Sequence, residues 1–148
     1  MPINKPSNLL LLAATLVTVL NFQSCSKYDE NPAFSLSSKK SRLVGEWEVV
    51  KLDGQSSNQY FGPGYTYTFE FEKDGDFEFG YTYSYGTYTN SYNLNGEWEW
   101  ENNKEKIEIE INGYVIDFEI IKLTKQELIL EDKSGQVFSG GEIEFEKM

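Results

Sequence analysis

From Gly45 to the C-terminus the sequence alternates apolar and polar residues with period two, and this constrains the fold more than any other feature. Successive side chains on a β-strand point to opposite faces, so the alternation prescribes sheets that are apolar on one side and polar on the other. No stretch of this region repeats apolar residues at helical spacing for three turns. The pattern predicts eight strands, over 45–52, 65–72, 77–85, 92–101, 106–111, 114–122, 127–131 and 137–147, the last broken at Gly140-Gly141. Short connections between most of them make neighbouring strands antiparallel.

The turns fix the registers. Asn112-Gly113 suits a type I′ turn, because both residues tolerate positive φ. A two-residue loop there pairs Ile111 with Tyr114, Ile109 with Ile116 and Ile107 with Phe118 on one face, and sets Lys106 against Glu119 and Glu108 against Asp117 on the other. Two facing carboxylates are tolerable only where water screens them, so the acidic face is the outer one. Lys73-Asp74-Gly75 suits a type I turn with a G1 bulge, which pairs Phe71 with Phe77, Phe69 with Phe79, Tyr67 with Tyr81 and Tyr65 with Tyr83. The four-residue loop over 102–105 pairs Glu101 with Lys106, Trp98 with Ile109 and Trp100 with Ile107. All three registers place aromatic residues inside and glutamates outside, and a slip of one residue would reverse the faces.

A meander with one apolar face hides that face, and loses its exposed edges, by closing into a barrel. The predicted fold is therefore all-β: an eight-stranded antiparallel up-and-down barrel. Gly45-Glu46-Trp47 resembles the Gly-x-Trp signature of lipocalins. The stretches YTFEFEKDGDF, GEWEW, NNKEKIEI and KLTKQELIL extend the likeness, so that nearly the whole chain from Cys25 resembles the lipocalin-like lipoproteins of the Bacteroidota. The resemblance implies a lipocalin-like barrel behind a lipid anchor.

The N-terminal region fits that expectation. Lys5 precedes an uncharged run from Leu9 to Leu20 that matches the apolar region of a signal peptide and is short for a membrane-spanning helix. Phe22-Gln23-Ser24-Cys25 resembles a bacterial lipobox, in which the Cys receives a diacylglycerol group and becomes the acylated first residue. The chain contains one Cys, so it has no disulfide partner of its own. Residues 1–24 are read as a lipoprotein signal peptide, 25–41 as lipidated Cys25 and a flexible tether, and 42–148 as the barrel domain, with a short helical turn over 38–44 leading into it. Lys27, Asp29 and Glu30 resemble the export signal of Bacteroidota surface lipoproteins. The expected address is the outer membrane of a Gram-negative bacterium, with exposure at the cell surface as an extension of that reading.

Composition removes most chemistries. There is no His, and the single Cys is assigned to the anchor, which leaves no Ser-His-Asp, Cys-His, thiol-redox or Cys/His zinc centre. No Gly-rich phosphate loop follows a strand. A formal net charge of -11 opposes nucleic acid binding. Carboxylates are abundant, but Glu70, Glu72, Glu97, Glu99, Glu101, Glu108, Glu110, Glu142, Glu144 and Glu146 follow the outward alternation. A hairpin turn accounts for Asp74-Gly75-Asp76, which is also a fragment of a calcium-loop pattern. No catalytic residue, metal or cofactor is assigned.

Two binding modes remain. In one, a small apolar or amphipathic ligand occupies the barrel, lined by Trp47, Tyr65, Tyr67, Phe69, Tyr81, Tyr83, Trp98, Trp100 and Phe118, whose rings carry a few orienting polar groups. In the other, the Tyr-rich run over 81–92 and the outer strand faces contact a protein or glycan. Tyr88 is then the expected contact residue, because it falls at the hairpin tip with no core role.

Overall fold

The computed structural model describes residues 38–148, so the expected signal peptide, Cys25 and the tether up to residue 37 lie outside the described residues. Strands β1 (Gly45–Leu52), β3 (Tyr65–Phe71), β4 (Asp76–Tyr85), β5 (Tyr88–Glu101), β6 (Lys106–Ile111), β7 (Tyr114–Leu123), β8 (Glu127–Asp132) and β9 (Gly141–Lys147) follow one another in space as they do in sequence. β9 returns to pair antiparallel with β1 and closes an eight-stranded barrel. A two-residue strand β2 (Gln55–Ser56) adds a short hairpin to the end of β1.

The hairpin registers are those that the turns prescribe. Phe71 faces Phe77 and Tyr65 faces Tyr83, Trp98 faces Ile109, and Ile111 faces Tyr114 across a turn whose Asn112 and Gly113 both have positive φ. The inward residues form one core, with Trp47, Phe71, Phe118, Ile107, Leu128, Leu130 and Ile143 fully buried. Two irregularities adjust this parity. A register shift between Val49 and Lys51 in β1, and another between Ile120 and Lys122 in β7, turn Leu52 and Leu123 inward. A bulged strand bends more sharply, which helps a small barrel close.

Helix α1 (Lys39–Leu43) caps one end. The Ser38 hydroxyl accepts from the Ser41 amide, a standard N-cap, and Leu43 is fully buried. The short helical turn expected over 38–44, leading into the barrel, is present, and its Leu43 packs with the core. Trp47 Nε1 donates to Leu43 O at 2.6 Å. Lys147 Nζ donates to Arg42 O at 2.9 Å and Val44 O at 2.6 Å, over the Trp47 ring. The Lys147 side chain runs under Gly45, where a Cβ would sit 2.9 Å from Lys147 Cε and where φ is +124°. That is the physical reason for Gly in Gly45-Glu46-Trp47.

Three expectations change at the opposite end. Strand β5 starts at Tyr88 and not at residue 92, because Gly86-Thr87 makes a two-residue turn with positive φ only at Gly86, as in type II′. The region between β2 and β3 contains helix α2 (Ser57–Phe61), capped by Ser56. The last strand begins at Gly141 and not at residue 137, since Phe138, Ser139 and Gly140 all have positive φ and cannot extend a strand.

Candidate functional site

At the end away from α1 the barrel is not filled. Phe69, Phe77, Phe79, Ile109, Ile111, Ile116 and Phe118, from β3, β4, β6 and β7, surround an apolar pocket of about 250 Å³. Each belongs to the inward set fixed by the hairpin registers. Gly96 lies opposite Ile111 on β5 and contributes no side chain, while a Cβ there would meet Ile111 Cγ1 at 2.8 Å.

The pocket is roofed by the β8–β9 connection, through Gln136, Val137 and Phe138. Asp132 holds this roof: its buried carboxylate accepts from the amides of Ser134 (2.8 Å), Gly135 (3.1 Å) and Val137 (2.7 Å), and from the Ser134 hydroxyl. Gln136 Nε2 donates to Val115 O at 3.2 Å and ties the roof to β7. The Phe138 ring packs against Phe61 and Tyr67, with centroids 5.0 and 5.2 Å away, and Tyr60 donates its hydroxyl to Phe138 O. A φ of +48° is a strained conformation for a bulky side chain such as Phe138, and its hold on this ring contact offsets the strain. Sequence reasoning missed this roof, because residues 137–139 read as the start of the last strand.

Of the residues expected to line the barrel, Phe69 and Phe118 reach the pocket. Trp47 instead fills the end capped by α1. Trp98 is buried with Phe71 and Trp100, and its Nε1 donates to Glu72 O. Trp100 packs beside it, with its Nε1 buried and without a hydrogen-bond acceptor among the described residues. Tyr65, Tyr67, Tyr81 and Tyr83 form a stacked patch on the inner face of β3 and β4 beyond the pocket, with centroids 4.6 to 6.0 Å apart. Burial raises the Tyr67 hydroxyl above the usual tyrosine pKa, and the neighbouring Tyr81 and Tyr65 add to the shift. The structure thus adds Phe77, Phe79, Ile109, Ile111 and Ile116 to the lining. Their inward parity was legible, but their height along the barrel was not.

Tyr88 sits opposite Tyr85 at the hairpin tip and is 61% exposed. Among the described residues, every exposed large apolar side chain except Met148 lies at this end: Tyr60, Tyr85, Tyr88, Tyr92, Tyr114 and Val115. The segments that build the end, over 54–69, 79–96, 111–116 and 134–141, contain no Asp, Glu, Lys or Arg. Charge gathers on the outer strand faces and around α1. Glu72, Asp74 and Asp76 form one exposed cluster, and Glu101, Glu108 and Asp117 another. Desolvation, followed by repulsion from Asp74 and Glu70, raises the Glu72 carboxyl, and desolvation followed by repulsion from Glu101 and Asp117 raises that of Glu108.

A family model for the lipocalin-like domain matches residues 43–130. Among solved structures, the chain is similar to a lipocalin-like protein from Bacteroides uniformis, at 16% identity and a TM-score of 0.47 over 72% of this chain and 99% of that one. It is also similar to a proposed lipoprotein from Shewanella oneidensis, at 19% identity and a TM-score of 0.44 over 77% of this chain and 97% of that one. No curated protein matches. With a closed antiparallel barrel and a family match over more than half its length, the chain belongs to the lipocalin-like domain family.

Proposed function

We propose that this is a non-catalytic binding protein that takes a small apolar or amphipathic ligand into the open end of its barrel. The observation that carries the reading is the apolar pocket of about 250 Å³ beneath Phe138. Small-ligand sites are concave, mostly apolar and provided with a few polar groups at the rim. Here the lining is Phe and Ile with Val137, and Gln136 in the roof supplies a side-chain amide. The volume lies just below the roughly 300–1,000 Å³ of drug-sized sites, so the ligand is small or inserts one end. Native mass spectrometry of the protein purified from cell envelopes is expected to retain an adduct that organic extraction removes. Failure to take up any member of a lipophilic extract would overturn the reading.

In this proposal the barrel is held to the outer membrane of a Gram-negative bacterium by diacylglycerol and an acyl chain such as palmitate on Cys25. Multiple acyl chains anchor stably where one is marginal. Labelled palmitate is expected to enter the wild-type chain and not Cys25→Ala, which should appear in the soluble fraction; a labelled Cys25→Ala variant would sink the anchor assignment. A second reading, as a surface module that contacts a protein or glycan, is favoured by the exposed tyrosines of an end without charge.

A further inference from the structure

Three strands run past the closed part of the barrel at its open end, and their free edges are treated differently. Residues 65–67 of β3 have no partner strand on the β1 side, but Phe61 of α2 packs on Tyr67 at 4.2 Å. Residues 114–117 of β7 pair with β6 alone, and Gln136 occupies the Val115 carbonyl on that stretch. Residues 88–95 of β5 pair with β4 alone, over an unbroken register, because β6 joins β5 only from Gly96 onward. All of them except Leu94 are exposed.

Free sheet edges template pairing with another chain, and proteins usually block them with charge, proline, a bulge or a covering segment. Residues 88–95 have no charge, no proline and no bulge. The direction of their backbone groups follows from one bond. Trp98 N–H donates to Gly75 O, on the β4 side. By the alternation of an antiparallel strand, Gly96, Leu94, Tyr92 and Asn90 also face β4, and Asn95, Asn93, Ser91 and Thr89 direct their N–H and C=O groups away from it.

We propose that this edge pairs with the same edge of a second copy, antiparallel about a two-fold axis through Tyr92. That register satisfies all four outward residues, Ser91 with Asn93 and Thr89 with Asn95, each pair occurring twice by symmetry. Tyr92 meets Tyr92 of the second copy in a non-hydrogen-bonded pair, where cross-strand side chains approach most closely. The outer face of the joint is Thr89, Ser91, Asn93 and Asn95. Charge selects this contact for a second copy: two chains of net charge -11 repel wherever their glutamate faces meet, whereas residues 88–95 carry no charge and the flanking carboxylate of Glu78 accepts from Asn93 at 2.8 Å. The joint is independent of whether the pocket is filled.

Analytical ultracentrifugation of the full chain carrying Cys25→Ser tests the joint. The expected result is a dimer that Ser91→Lys with Asn93→Lys converts to half its mass, with the circular dichroism spectrum of the folded barrel retained and the concentration dependence of the wild-type melting temperature lost. In the same background, mild oxidation is expected to crosslink Tyr92→Cys with itself, to leave Asn90→Cys monomeric, and to crosslink Asn90→Cys with Leu94→Cys. A monomer at every attainable concentration, a dimer indifferent to the two lysines, or equal crosslinking at 90 and 92 would overturn the proposal.

Discussion

At one end of the barrel, the Lys147 ammonium binds the carbonyls of Arg42 and Val44, at the C-terminal end of α1, over the buried Trp47 ring. At the other, Phe138 lies over an apolar pocket among segments that carry no charge. A short segment outside the strands lies over each end, yet only the first is sealed. α1 brings Leu43 into the core and its carbonyl to the Trp47 indole, so cap and barrel are one packed unit. The roof is held by a single carboxylate, Asp132, and by a side chain in a strained backbone conformation. Packing gives stability at the first end, while the second keeps apolar surface uncovered where a ligand can reach it.

The largest expected effect breaks the first end. Trp47→Ala should cost about 3–5 kcal/mol in urea unfolding, as large-to-small substitutions of fully buried aromatics do. Phe138→Gly should cost less than ~1 kcal/mol, since losing the ring is offset by relief of the positive φ. Equal losses at the two positions would erase the distinction between a structural end and a binding end.

A smaller effect concerns the charged outer faces. The folded-state pKa of Glu108 is raised, so as pH rises from the ordinary glutamate pKa of about 4.3 to that higher value the unfolded chain loses its proton first. Stability contributed at this site is present below that window and falls as pH rises through it. Glu108→Gln should therefore be slightly more stable than wild type at neutral pH, with a flatter decline in thermal unfolding between pH 4 and 7, and added salt should narrow the gap. A less stable variant would contradict the repulsion. Tyr88→Ala at the uncharged tip should change stability least, within about 0.5 kcal/mol, as exposed substitutions do. A larger loss would mean that the hairpin supports the barrel.

The registers were legible because each hairpin turn announces its own geometry, and Trp47, Phe69 and Phe118 could be set inside from parity alone. The bulges after Val49 and Ile120 coincide with breaks in the alternation, Val49-Val50-Lys51-Leu52 and Ile120-Ile121-Lys122-Leu123, but a doubled apolar residue does not by itself separate a bulge from a strand end, so the inward turn of Leu52 and Leu123 was not fixed by the pattern. The height of a residue along the barrel was equally hidden. Trp98 and Phe79 have the same alternation, yet one is packed near α1 and the other borders the pocket. The roof escaped because it depends on Asp132 folding back on residues 134–137, a local hydrogen-bond pattern that no period reveals.

The central claim is that the space beneath Phe138 is a ligand site. Titration with a neutral apolar fluorophore such as N-phenyl-1-naphthylamine, comparing wild type with Ile116→Trp, tests it most directly, because Ile116 lines the pocket and an indole there would occupy it. The account predicts saturable binding of one probe per barrel to wild type and at least a tenfold weaker signal from a folded Ile116→Trp, about 1.4 kcal/mol in binding free energy. Equal binding by the two proteins would contradict it.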